Sequence, residues 1–253
     1  MTLFSLNGKR ALITGSGQGI GLAIARGLAS AGASIVLNDI DADRLAAAAA
    51  LLRGEGIATD GVKFNVAKPD EVGPALADLI ARVGPIDILF NNAGIHRYAA
   101  LVDMELSRWQ EVLDVNLTGA FVVAQAVART MIARGSGKII NICSLMSEAA
   151  RPTTGNYAAA KGGLKLLTKS MAVEWGKHGI QINGIGPGYI LSDLTRPLAA
   201  KPEFDAWVKS RTPAGRWGSP EDLIGAAIFL SAPASDFVNG HVLYVDGGFL
   251  AGL

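Results

Sequence analysis

Ala11-Leu12-Ile13-Thr14-Gly15-Ser16-Gly17-Gln18-Gly19-Ile20-Gly21 decides the fold. A short apolar run ends in a glycine turn, and a helical pattern begins at once. Continuous apolar character suits a strand buried on both faces of a parallel sheet. Glycines at such a junction let the backbone turn tightly and approach a pyrophosphate, whose charge the next helix N-terminus stabilises. The spacing is not the usual G-x-G-x-x-G, because the sixth position from Gly15 is Ile20. The pattern is T-G-x-x-x-G-x-G. A glycine turn alone also serves plain chain geometry. Its place between the first strand and first helix makes Gly15, Ser16, Gln18, Gly19, Ile20 and Gly21 candidate dinucleotide contacts.

Working outward, strand-like runs recur at 34–37, 86–90, 138–142, 180–182 and 242–245. Helix-like stretches at 19–31, 41–54, 69–82, 107–133, 155–176 and 220–231 lie between them. Pro69 and Pro220 stand where helix starts tolerate proline, and Asp41 is placed to cap the second helix. This alternation predicts a single-domain α/β Rossmann fold over 1–253. Its doubly wound parallel sheet has about seven strands and helices on both faces. Residues 188–218 mix Gly, Pro, Tyr, Trp and Arg without a period. They read as a substrate lid, or as a plain connecting loop.

Half of the 253 residues are hydrophobic and the net charge is +1. That balance argues for no nucleic acid and no anionic membrane as partner. The apolar runs look broken well before the ~20 residues a membrane span needs. One cysteine, Cys143, excludes an internal disulfide framework and suits a reducing, cytoplasmic setting. His96, His178 and His241 are widely separated, so no metal cluster is visible.

The second run ends at Asn38-Asp39. Asp39 follows Gly21 at about the ~20-residue interval expected of the acid that binds an adenosine ribose. A carboxylate there accepts from a 2′-hydroxyl and repels a 2′-phosphate, by roughly 4 kcal/mol at about 4 Å and an effective dielectric near 20. The expected cofactor is therefore NAD. Arg44 is the nearby cation able to reverse that. Asp39 as a mere helix cap is the competing reading.

Tyr157 and Lys161 lie one helical turn apart if 155–176 is helical. A phenol has a pKa near 10, and a neighbouring ammonium lowers it by up to ~3 units. That would make Tyr157 an acid/base for an alcohol proton. Ser144, just past the run 138–142, is placed to hold the substrate oxygen, with Ser147 as its rival and Met146 beside it. Asn91-Asn92-Ala93-Gly94 suits a turn that binds polar ligand edges, or a turn alone. Asn116 sits inside a helical stretch that disfavours asparagine, so it marks a local break or a buried polar role.

Together these residues resemble the short-chain dehydrogenase/reductase family across nearly the full chain, with Pro187-Gly188 completing the order of motifs. The resemblance implies a relay in which Asn116 holds a water linked to Lys161, Tyr157 and Ser144. It also implies that Tyr157 and Lys161 meet the nicotinamide ribose. Asn92, Ala93 and Gly94 would then lie at the cofactor, and Pro187, Gly188 and Ile190 at its carboxamide. Asn65, beside Val66, replaces the family's usual aspartate near the adenine, and Ser192 replaces a threonine. The resemblance implies a homotetramer built on the helices 107–133 and 155–176, where Gly162 and Gly163 would allow close approach of a neighbour.

Within that family, the segments 36–40, 141–148, 211–218 and 236–241 are similar to the gluconate 5-dehydrogenase group, some of whose members use NADP. That implies a sugar acid or polyol as substrate. A carboxylate needs a cation, and Arg97 and Arg151 are the candidates, unless both are solvated surface charges. His96 and Glu148 are placed to bind hydroxyls. A 3-oxoacyl-carrier-protein reductase is the alternative, although a charge of +1 offers no general basic surface for an acidic carrier. A non-catalytic cofactor-binding regulator is disfavoured by the presence of Ser144, Tyr157 and Lys161.

Overall fold

The computed structural model describes residues 3–193 and 195–252. Seven parallel strands form one sheet in the order β3-β2-β1-β4-β5-β6-β7. They are β1 (Arg10–Ile13), β2 (Ser34–Asp39), β3 (Thr59–Lys63), β4 (Ile88–Asn91), β5 (Gly137–Ile142), β6 (Ile180–Pro187) and β7 (Val242–Val245). The main helices are α1 (Gly19–Ser30), α2 (Ala42–Gly54), α3 (Pro69–Val83), α4 (Leu106–Leu113), α5 (Gly119–Arg134) and α6 (Gly155–Trp175). Further along come α7 (Arg196–Ala199), α8 (Pro202–Arg211) and α9 (Ile224–Ser231).

Successive side chains on a strand point to opposite faces, and the chain uses both faces. Ile13, Ile35, Leu37, Phe90 and Ile140 pack with Ile24 and Leu28 of α1 and Leu230 of α9. Leu12, Val36, Leu89 and Ile139 pack the other way, on Val72 and Leu76 of α3 and Val123 and Val127 of α5. The strand order reverses between β1 and β4, and a crevice opens there above the strand C-termini.

Strand β3, Thr-Asp-Gly-Val-Lys, is missing from the runs read in the sequence. It is an edge strand with two buried residues, so it carries almost no hydrophobic signal. The stretch expected as a helix over 107–133 is continuous, but Asp114–Thr118 forms a π-turn with Asn116 buried in it. Both readings of Asn116, a break and a buried polar role, are thus realised together. Contrary to the reading of the sequence, Leu106–Arg134 is long and apolar enough to cross a membrane. Here Val123, Val127 and Met131 of that helix face the sheet instead. Asp41 caps α2, accepting from the backbone N–H of Asp43 and Arg44, each at 3.0 Å.

Between β6 and β7 the last crossover is held by two amides, Asn239, which bonds Ile180 and Ile182 of β6, and the buried Asn183. Asn183 Nδ2 donates to the Val238 carbonyl at 2.7 Å, and its Oδ1 accepts from His241 N–H at 3.0 Å. Truncation removes both bonds at once. Asn183→Ala is expected to lower urea-unfolding stability by about 2 kcal/mol. An unchanged midpoint would show that the crossover does not depend on it.

Candidate active site

The glycine turn folds as expected and opens α1. Gly19 has φ +57°, a conformation L side chains rarely adopt, and the space beside it is open. At Gly21 an added Cβ would lie 2.6 Å from Asn92 Nδ2 and 2.7 Å from the Gly15 carbonyl. Asn92 explains that crowding: its Nδ2 donates to the carbonyls of Thr14 and Gly15 at 2.9 and 3.0 Å. The amide therefore clamps the loop after β4 onto the glycine turn.

A cleft of about 290 Å³ runs along this junction. Gly15, Gln18, Gly19, Ile20 and Gly21 line one wall. Asn92, Ala93 and Gly94, together with Asp39, Asn65, Val66 and Ser192, complete its lining. Ser16 is the exception, since it is fully buried. Its hydroxyl donates to the Ile13 carbonyl and accepts from Asn38 N–H, so its side chain holds β1 to β2. Asn65 Oδ1 accepts from Ala67 N–H at 3.0 Å, and only its remaining lone pair is left for a ligand. Gly188 and Ile190, beyond Pro187 at the end of β6, line a separate pocket towards β7.

Asp39 is more committed than its spacing suggests. Its carboxylate accepts from Gly17 N–H at 3.1 Å and Asp41 N–H at 3.0 Å. It also pairs with Arg44, whose Nη2 lies 2.6 Å from Oδ1. The Asp39 side chain is 5% exposed and that of Arg44 is 35% exposed, so the cation faces the cleft in front of the anion.

The proposed catalytic side chains converge above the ends of β4 and β5. Asn116 accepts from Ile95 N–H at 2.8 Å and donates to the Ile95 carbonyl at 2.9 Å, fixing the loop after β4. Its amide is thereby engaged with protein backbone. Lys161 is buried, and Nζ donates to the Ile142 carbonyl at 2.6 Å. The same ammonium is 5.6 Å from the Tyr157 ring centre. Ser144 caps a short turn through Met146 N–H at 3.1 Å and is close enough to Tyr157 to act on its phenol. Ser147 Oγ donates to the Lys161 carbonyl at 2.9 Å and accepts from Ser144 N–H at 3.3 Å, so it is engaged with backbone.

The electrostatics correct one expectation. Burial pushes the Tyr157 phenol up to about 12, and the hydrogen bond from Ser144 only partly opposes it. Burial likewise pulls the Lys161 ammonium down to about 8. Loss of hydration opposes charge on both groups, so the lysine alone does not make the free protein's phenol acidic.

Two loops form the outer wall. Ala99 N–H donates to the Thr153 carbonyl, and Asn156 Nδ2 donates to the Arg97 carbonyl at 3.0 Å. That stitching stacks His96 on Tyr157, with ring centres 4.4 Å apart, and on Tyr98 at 3.9 Å. It also sets Arg151 5.8 Å from the Tyr98 ring and 5.0 Å from Phe204 of α8. Tyr189 meets Phe204, Trp207, Trp217 and Phe249 edge-on, so the described part of 188–218, which contains α7 and α8, is packed on an aromatic cluster. Leu194 lies outside the described residues.

Arg97 is turned away from this wall. It forms a two-pronged pair with Glu111, at 2.8 and 2.6 Å. Glu148 is likewise bound to Lys165 and Tyr244. The sequence missed the aromatic wall, whose members become neighbours only through loop packing.

A family model described as enoyl-(acyl carrier protein) reductase matches residues 15–250. The chain is 54% identical over 251 residues to the 2-dehydro-3-deoxy-D-gluconate 5-dehydrogenase of Formosa agariphila, spanning 98% of this chain and 95% of that protein. It is 51% identical to the 5-keto-D-gluconate 5-reductase of Escherichia coli, with 98% of each covered. A crystal structure of a gluconate 5-dehydrogenase from Burkholderia cenocepacia, in complex with NADP and tartrate, superposes with a TM-score of 0.97 at 55% identity. That match spans 99% of this chain and 98% of the other. The chain belongs to the short-chain dehydrogenase/reductase family. It is an NAD(P)-dependent oxidoreductase that interconverts alcohols and ketones.

Lys161 makes stability depend on pH. Between about 8 and the ordinary value of 10.5 the unfolded chain holds a proton that the folded chain has released. Stability from this group therefore rises with pH across that window. Urea titrations of the cofactor-free protein should show wild type gaining on Lys161→Met from pH 8 to pH 10. A constant gap would mean that Lys161 titrates normally.

Proposed function

We propose that this enzyme interconverts D-gluconate and 5-keto-D-gluconate, or a closely related sugar acid, and that it accepts NADP(H). The observation that carries the sugar-acid reading is Arg151. No acidic side chain among the described residues pairs with it. Its Nε is buried without a hydrogen-bond partner, and its guanidinium lies against the faces of Phe204 and of Tyr98, whose stacking partner His96 also stacks on Tyr157. A cation so placed binds a substrate carboxylate with two parallel hydrogen bonds. Relatives whose names specify gluconate or 2-dehydro-3-deoxygluconate chemistry support it.

The cofactor residues are those of the cleft, with the glycine turn at the pyrophosphate, Asn65 and Val66 near the adenine, and Lys161 and Tyr157 near the nicotinamide ribose. Asp39 was expected to favour NAD. Its charge is neutralised by Arg44, and the exposed guanidinium is placed to receive a 2′-phosphate.

Bound there, the nicotinamide supplies the hydride-exchanging carbon and, when oxidised, a positive charge near the phenol. Ser144 holds the substrate oxygen. Tyr157 takes the hydroxyl proton in oxidation and returns it to the ketone oxygen in reduction. Lys161, held by the Ile142 carbonyl, keeps an ammonium next to that exchange. Because the Asn116 side chain is occupied by Ile95, a relay water would be held through its backbone.

The residues 188–218 close over the substrate as a lid. Outward side chains on α6 include Leu166, 64% exposed, and Val173, 82% exposed, which suits a homotetramer. The glycines expected to admit a neighbour have a different role at one position, since Gly163 packs against Leu117 of its own chain. A reducing cytoplasm suits the one thiol, Cys143, pushed up to about 11 by burial.

Tyr157→Phe should cut kcat by about 10²–10⁴-fold with NADP(H) affinity retained. Undiminished turnover would refute the assignment. Arg151→Ala should raise KM for 5-keto-D-gluconate by about tenfold or more, the scale of one charged hydrogen bond, and barely affect a neutral polyol. Arg97→Ala should change neither. Arg44→Ala should weaken NADP(H) by about tenfold relative to NAD(H), and equal losses for both cofactors would remove its phosphate role.

A further inference from the structure

His96 is not required by the chemistry above, yet it sits directly on the reacting phenol. Its ring lies within 13° of parallel to Tyr157 and to Tyr98, and it is sandwiched between them. This clamp leaves the imidazole little freedom to turn. The two ring nitrogens have different surroundings. Nδ1 is buried with no hydrogen-bond partner among the described residues. Nε2 is neither buried in that way nor bonded to any described residue, so it is the nitrogen open to a ligand.

The protonation state follows from the neighbours. Burial and the positive charge of Arg151 pull His96 down to about 4, so the ring is neutral at physiological pH. The groups facing it are Arg151, Tyr98 and Tyr157, none of which is an anion at that pH. A neutral imidazole carries one proton on one nitrogen. A buried N–H without an acceptor is costly, which disfavours the proton on the enclosed Nδ1. The proton therefore belongs on Nε2, which becomes a hydrogen-bond donor next to Tyr157.

We propose that His96 is a specificity-determining residue whose Nε2–H binds the oxygen on the carbon adjacent to the reacting one, so that the enzyme selects α-hydroxy ketones and vicinal diols over simple ketones and alcohols. The His96 ring stacks on the Tyr157 ring with centres 4.4 Å apart, so a donor on it serves a substrate oxygen close to, but distinct from, the one that exchanges a proton with Tyr157. An oxygen on the neighbouring carbon of a polyol is the substrate group that can take that second donor, and a simple ketone has none. The inference rests on Tyr157 as the proton carrier. It is also consistent with the sugar-acid reading, because C5 of 5-ketogluconate has hydroxyl-bearing carbons on both sides.

The test uses full-length enzyme with NADPH. The probes are 5-keto-D-gluconate, acetoin (an α-hydroxy ketone) and 2-butanone (its deoxy counterpart). Each is read as kcat/KM or, if bound but not reduced, as a competitive inhibition constant. Wild type should prefer acetoin to 2-butanone. His96→Phe keeps the stacked ring and removes the donor, and should lower that preference about tenfold with thermal midpoint and NADPH affinity unchanged. His96→Gln, which retains an N–H, should recover part of it. Equal losses on both small ketones, or no initial preference, would overturn the inference. Should wild type ignore 5-keto-D-gluconate while discriminating between the small ketones, the sugar-acid reading fails and the role of His96 stands.

Discussion

An ammonium bonded to the carbonyl that ends a strand organises this molecule. Lys161 Nζ reaches the Ile142 carbonyl at 2.6 Å from within α6, and both partners are buried. An unpaired charge there would cost several kcal/mol, so the helix is held against the end of β5. Tyr157, one turn earlier, is thereby suspended over Ser144, which follows the same strand. The reacting groups are neighbours because α6 cannot shift along the sheet without stranding its lysine.

The same logic recurs around the crevice. Asn92 pins the loop after β4 to the glycine turn, and Asn116 pins it again through Ile95. Asn91 and Asn141 meet across β4 and β5, with Thr168 of α6 completing the chain. Parallel strands end with unpaired backbone groups, and a crevice there would leave them dry and unsatisfied. Amides and hydroxyls complete those bonds while keeping the turns rigid. That rigidity is what a site needs if its donors are to act without reorganising.

The outer wall follows a different principle. His96, Tyr98, Arg151, Phe204 and Tyr189 are joined by ring contacts more than by hydrogen bonds. Several of their polar atoms, His96 Nδ1, Arg151 Nε and Tyr189 Oη, are buried without partners among the described residues. The inner site leaves Asn91 Oδ1 as its unpartnered buried atom among the described residues, beside an outer wall held largely by ring contacts. The proposed proton-transfer groups thus sit on rigid backbone, and the proposed recognition groups sit in a wall held by ring contacts.

The sequence by itself determined the sheet, the crevice and the reacting groups. Strand β1 and its glycine turn, the α6 pair Tyr157 and Lys161, and the Asp41 cap are local patterns, legible because strand and helix periods place those side chains without help. The edge strand β3 was not legible, since Thr59–Lys63 buries too little to leave a pattern. Only the tertiary structure decided which charges are free. Arg97 and Arg151 look alike in sequence, but Glu111 takes one and aromatic rings surround the other. Asp39 reads as an NAD signature until Arg44 is seen against it. The Tyr157 phenol reads as acidified by a lysine until burial of both groups is counted. Pairing and desolvation depend on distances between segments far apart in the chain, and no local period encodes those distances.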